Sequence, residues 1–194
     1  MNYLAHLYLS GSNVEVQAGN LFGDEVKGRN YENFPADIKK GLLQHRFIDS
    51  YTDSHPINLE VKKMLYPYFG KYAGIALDIY YDHYLAIKWL EYSRVPLIDF
   101  SLEIYRNMKP LSLMFSDKAV KMLNYMEEYN WLYNYKEMEG MEKTFTGMSK
   151  RLGKNSGMEN AYQVLEKHYA KIEEGFNDYF PDLLRKSSDK LLDL

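Results

Sequence analysis

Residues 72–92 read YAGIALDIYYDHYLAIKWLEY, with no proline until Pro96. Apolar residues recur at helical spacing throughout, so the stretch predicts a helix over about Tyr72 to Tyr92. One stripe along it runs Ile75, Asp78, Asp82, Leu85, Trp89; its neighbour runs Ile79, His83, Ala86, Leu90. Two carboxylates and an imidazole therefore ride on an almost wholly apolar helix. Burying a lone carboxylate costs several kcal/mol, so such groups are normally paired or metal-bound.

The neighbouring sequence is also helical. Residues 3–9 form a short apolar segment that ends at Ser10-Gly11. Ser12 and Glu15 have capping-box spacing and predict a helix from about Val14 to Lys27, stopped by Gly28. Pro35 suits the first turn of a helix reaching about Tyr51. Along that helix Ile38, Leu42, His45, Asp49 and Thr52 lie at steps of 4, 3, 4 and 3, a single face. Asp53 to Pro56 reads as a turn. Further helices are expected over 57–66, 97–108, 117–135, 137–151 and 158–179, with a loop over 153–157. Pro181 should interrupt the last helix before a frayed tail. There is no clean alternating strand, internal repeat or linker, so the expected fold is a single-domain, all-α bundle over 1–194.

Composition narrows the chemistry. The 194 residues include 19 tyrosines and no cysteine. Disulfides and thiolate ligands are excluded, a reducing cytosol is the expected compartment, and any metal must be held by His, Asp and Glu. The net charge of -3 gives no overall attraction for nucleic acid or membrane. The start, MNYLAHLYLS, lacks the basic residues and long apolar run of a signal peptide. There is no phosphate-binding glycine loop, no H-E-x-x-H and no nucleophile elbow.

The candidates are therefore His45, Asp49, Asp78, Asp82 and His83, with Asp24 in the glycine-bearing segment GNLFGD at 19–24. Convergence on one cation would relieve the cost of burying them. The competing reading is a set of internal salt bridges with Arg46 or lysines. His6 is either a hydrogen-bonded core residue or a contributor to the same cavity. His55, before Pro56, reads as a turn or helix-start residue, and Asp53 is open between cap and site.

Four blocks carry a resemblance: MNYLAHLYLS (1–10), GNLFGDEVKG (19–28), FPADIKKGLLQHRFIDSYTDSHP (34–56) and YAGIALDIYYDHYLAIKW (72–89). Together they resemble the acyl carrier protein phosphodiesterase family. The resemblance implies an all-α fold related to the HD phosphohydrolases. It also implies hydrolysis of holo-acyl carrier protein to the apo form and 4′-phosphopantetheine, with Mn or Mg as cofactor. The family's G-N-x-x-x-D block falls on Asp24, its H-R-x-I-D block on His45, Arg46 and Asp49, and its L-D-x-x-x-D-H block on Asp78, Asp82 and His83.

On this basis Asp24, His45, Asp82 and His83 are expected as metal ligands. Asp49 and Asp78 are expected to orient a ligand imidazole or act as general base, and Arg46 to neutralise phosphate oxygens. Carrier proteins are acidic, so docking needs a local basic patch, for which Lys39, Lys40, Lys62, Lys63 and Lys71 are the candidates. Two other readings stay open: a phosphohydrolase of the same fold acting on a small phosphoester or nucleotide, and a non-catalytic helical binding protein.

Overall fold

A computed structural model describes residues 1–153 and 155–194. The expected loop over 153–157 includes residue 154, which lies outside the described residues. In chain order the α-helices are α1 (Tyr3–Leu9), α2 (Val14–Leu21), α3 (Ala36–Ser54), α4 (Pro56–Phe69), α5 (Ala73–Ile87) and α6 (Trp89–Tyr92), followed by α7 (Leu97–Ser112), α8 (Asp117–Glu128), α9 (Trp131–Asn134), α10 (Met138–Leu152) and α11 (Ala161–Asp193). Among the described residues there is no strand, and the fold is all-α as expected. No described helix is long and apolar enough to cross a membrane.

The core is built around α5. Tyr80, Tyr81, Tyr84, Leu85 and Ile79 are fully enclosed; Tyr81 packs against Phe176 and Tyr179 of α11, Tyr84 against Phe176, and Tyr80 against Phe69 and Phe145. α1 is too short to be stable alone. It is held by burial of Leu4, Ala5 and Leu7 against α2 and α5. Each fully buried leucine contributes about 1.5–3 kcal/mol.

α2 and α3 approach closely enough that their backbones touch. A Cβ on Gly19 would stand 2.1 Å from the carbonyl oxygen of Ile38, and one on Gly41 would stand 2.1 Å from that of Val16. Only glycine fits at this crossing, which brings the end of α2 against the middle of α3.

Several boundaries differ from expectation. α2 is capped by Asn13, whose side chain accepts from the amides of Glu15 and Val16, rather than by Ser12. It stops at Leu21 instead of Lys27, and a single 3-10 turn follows over Gly23–Glu25. α3 runs on to Ser54, so the turn expected over 53–56 narrows to the extended His55 before α4 starts at Pro56. α5 ends at Ile87, before the short α6. The 117–135 helix divides at Asn130, which takes a left-handed conformation at φ 44°.

Proline does not end α4, α7 or α11, which continue through Pro67, Pro110 and Pro181. In each case nearby burial outweighs the lost backbone bond: Phe69 beside Pro67, Ser112 beside Pro110, and Phe180, Leu183 and Ser187 around Pro181. The expected frayed tail is thus the last turns of α11.

Candidate metal centre

His45 and Asp49 project one turn apart from α3, towards the N-terminal segment. His6 arrives from α1 and stacks on His45, with ring centroids 4.4 Å apart. His6 Nε2 lies 3.1 Å from Asp49 Oδ1, and His45 Nε2 lies 3.1 Å from Asp49 Oδ2. The three side chains thus offer ligand atoms within 4.8 Å of one another. Asp24, from the 3-10 turn after α2, stands 3.7 Å from His45 Nε2 with its side chain largely exposed. Gly23 makes room for this arrangement, since a Cβ there would meet the His45 ring at 2.3 Å.

The protonation pattern is fixed by one residue. His6 Nδ1 is 2.6 Å from the side-chain oxygen of Asn20, and His45 Nδ1 is 2.8 Å from the backbone oxygen of Asn20. The Asn20 amide is oriented because its NH2 donates to Ser10 Oγ and Gln44 Oε1. Gln44 is oriented in turn, donating to Leu9 O and Ser187 Oγ. Both Asn20 oxygens therefore accept, both imidazoles carry their proton on Nδ1, and both Nε2 lone pairs point at the oxygens of Asp49. Lone pairs facing carboxylate oxygens are favourable only with a positive charge between them. Without metal that charge is a proton. Burial opposes the His45 cation, but its contacts with Asp24 and Asp49 outweigh this and raise its pKa to about 9. Burial and the neighbouring His45 charge push His6 the other way, below its ordinary value. Asp49 is held well below the ordinary carboxylate range, because its bonds to His45 and His6 outweigh burial. The geometry and donor set fit a divalent cation such as Mn, Fe, Zn or Mg.

Asn20 is the residue that sequence reading passed over, although it stands in the GNLFGD block. Nothing in the sequence marks it as facing two imidazoles at once. Asn20→Leu removes the acceptor for His6 while leaving the backbone acceptor for His45. Affinity for Mn should fall about 10–100-fold, the usual cost of losing the partner that orients a ligand histidine. Titration calorimetry reads the affinity, and nitrogen-15 NMR reads the His6 tautomer. Unchanged affinity would mean that Asn20 does not orient the site.

The other expected residues go elsewhere. Asp82 is fully buried and accepts the amides of Leu4 at 2.7 Å and Ala5 at 3.1 Å. Asn2 makes no side-chain cap to α1, so Asp82 on α5 caps that helix from outside. Burial pushes its carboxyl up to about 7, against the pull of the two amides. His83 faces away: Nδ1 donates to the carbonyl of Tyr135 at 2.7 Å, and Nε2 accepts from the Tyr169 hydroxyl at 2.8 Å. Neither nitrogen has a lone pair left for an ion. The structure does not bring Asp82 and His83 together on one ion. Adjacent helical residues diverge by about 100° around the axis, which sends Asp82 to α1 and His83 towards α9 and α11.

Arg46 donates to the carbonyl of Val26 at 3.0 Å and covers the ring of Tyr31 at 4.9 Å, so it pins the segment after Asp24. Asp78 is partly buried and accepts from the α-ammonium of Met1 at 2.9 Å. His55 lies 3.6 Å from Asp182, away from the cluster. Asp53 accepts from Lys62.

A cavity of about 280 Å³ opens onto the cluster. His6, Asp24, His45, Asp49, Asp53 and Asp78 line it together with Tyr3 and Arg151. Residues 1–183 match the family described as acyl carrier protein phosphodiesterase. The chain belongs to that family. Proteins named acyl carrier protein phosphodiesterase from Klebsiella pneumoniae subsp. pneumoniae, an Enterobacter species and Escherichia coli O157:H7 are 31%, 30% and 30% identical to it. Each alignment covers 99% of this chain and 100% of the relative. No solved structure matches the chain.

Proposed function

We propose that this member of the family hydrolyses the phosphodiester of holo-acyl carrier protein to apo-acyl carrier protein and 4′-phosphopantetheine, using a divalent metal, Mn or Mg, at His6, His45 and Asp49. The observation that carries the metal assignment is the pair of Nε2 lone pairs aimed at the two oxygens of Asp49, with both tautomers set by Asn20. Asp24 completes the ligand set from its exposed turn. A cation bound there supplies Lewis acidity to the phosphoryl oxygens and acidifies water.

The remaining roles belong to the chain. Asp82 caps α1 and so holds His6 in place. Arg46 secures the Asp24 segment through Val26. Arg151, on the cavity wall beside Tyr3, is better placed than Arg46 to neutralise the phosphodiester oxygens. Asp78 gives one carboxylate oxygen to the Met1 ammonium, leaving Oδ2 as a proton acceptor. Burial raises its pKa despite that ammonium, which suits a general base. Water attacks phosphorus, its proton passes to Asp78 Oδ2, the bond to the carrier's serine oxygen breaks, and that oxygen is protonated from solvent. The cavity is small for a ligand pocket. It suits the phosphodiester itself, with the carrier and the pantetheine arm extending outside.

Purified protein incubated with holo-acyl carrier protein and Mn should convert it to the apo form, read by intact mass, and a chelator should stop the reaction. Arg151→Ala should lower kcat/KM about 10²-fold on the carrier and on a small chromogenic phosphodiester alike, the scale of losing one transition-state charge partner. Hydrolysis of nucleotides or small phosphoesters without any carrier turnover would favour the small-substrate reading. Absence of both metal binding and hydrolysis would favour a binding protein.

A further inference from the structure

A second depression, about 870 Å³, lies between α4 and the start of α5. Its floor is Ile57, Ala73 and Gly74, and its walls carry Leu59 and Tyr66. Those two side chains are unusually open for their size, 43% and 64% exposed. Three lysines line it, Lys62, Lys63 and Lys71, against one carboxylate, Glu60. Lys63 pairs with Glu60 at 2.6 Å, and Lys71 lies over the Tyr72 ring at 5.0 Å. Of the five lysines proposed from sequence, these three share one surface. Lys39 is instead paired with Glu32 on the far segment before α3.

The groove adjoins the metal cavity. Lys62 lines the groove and donates to the carbonyl of Asp53 at 2.9 Å and to its carboxylate at 3.2 Å, while Asp53 lines the cavity. Gly74 of the groove floor is followed by Ile75 of the cavity wall. A macromolecular substrate whose phosphodiester enters the cavity must rest its body on a neighbouring surface. This one combines exposed apolar side chains with three lysines against Glu60 and Asp53, so Lys71 is left without a carboxylate among these groups, on a chain whose net charge is -3.

We propose that the α4–α5 groove docks an acidic, amphipathic helix of the carrier-protein substrate. This rests on the carrier-protein reading above. Apolar residues of the helix would pack between Leu59 and Tyr66, and its carboxylates would reach Lys63 and Lys71. The pantetheine arm stays outside the groove in this arrangement.

The test uses the full chain with Mn, comparing wild type with the double variant Lys63→Glu/Lys71→Glu. Both lysines are exposed and neither belongs to the catalytic machinery, and thermal melts confirm folding. The substrates are holo-acyl carrier protein, a short neutral phosphopantetheinyl peptide and a chromogenic phosphodiester. The expected result is a rise in KM for the carrier of about tenfold, the size of an association-rate effect from reversed rim charges. The carrier kcat and both small-substrate activities should stay within about twofold, and added salt should raise KM less in the variant than in wild type, because screening acts on the same attraction. An unchanged carrier KM, or equal losses on all three substrates, overturns the proposal. A loss on the peptide as large as on the carrier places the arm in the groove and also overturns it. So does a wild type that sediments as a dimer and a variant that sediments as a monomer, since a second copy then fills the groove. Wild type that cleaves the chromogenic diester but never the carrier overturns the underlying substrate reading, a different failure from any of these.

Discussion

Asp49→Ala should abolish stoichiometric binding of divalent metal and lower carrier hydrolysis by about 10³-fold or more, the scale of losing a preorganised electrostatic partner together with the proposed ion. Asp49 reaches the Nε2 atoms of both imidazoles, 3.1 Å from each. Its loss leaves two buried, stacked rings with no shared anion between them. The metal-free protein provides a second readout. The folded pKa of Asp49 is depressed, so its contribution to stability is present above the ordinary 3.8 and is lost as pH falls through the folded value. The folded pKa of His45 is raised, so its contribution is complete below the ordinary 6.5 and is lost as pH rises through about 9. The variant should therefore melt below the metal-free wild type by the widest margin near pH 5–6. That margin should narrow as pH approaches 9. Retained metal stoichiometry in the variant, or a pH-independent deficit, would show that Asp49 does not bridge the two histidines.

Asp82→Ala acts on stability first. It leaves the amides of Leu4 and Ala5 buried without acceptors, and each such orphan costs about 1–3 kcal/mol. A total near 3 kcal/mol is expected, read as a fall in the urea midpoint of the metal-free protein. Mn affinity should fall with it, because α1 carries His6. Asp82→Asn keeps one acceptor and should cost about 1 kcal/mol, the worth of one hydrogen bond. A residue that only ligated the metal would behave oppositely: removing it would leave the metal-free protein as stable as before, or more so. An undisturbed urea midpoint for Asp82→Ala would restore the ligand reading of this residue.

Much of this was legible in the sequence. The helical class follows from apolar spacing, and the pairing of His45 with Asp49 follows from a four-residue step along one face of α3. The destinations of Asp82 and His83 did not follow. Their adjacency says only that they diverge, and which neighbour each meets depends on how α1, α9 and α11 pack. His6 was visible as a polar residue in an apolar segment, but its stacking on His45 arises from two helices whose contact is tertiary. Asn20 was hidden for a related reason, since half its role is played by a backbone oxygen that any residue would supply. Helix ends were least legible. Pro181 read as a break, and the helices expected over 57–66 and 97–108 stopped short of Pro67 and Pro110, yet α4, α7 and α11 continue through these prolines.

The last turns of α11 bear on when the site comes into being. Ser187, fully buried, receives a hydrogen bond from Gln44, which holds Asn20, which sets both imidazoles. A ribosome delivers His6, Asn20, His45 and Asp49 well before Ser187, the residue that supports Gln44. A nascent chain can hold all four side chains and still lack the scaffold that aims them. A chain that has not yet reached Ser187 carries the parts of the cluster without their order.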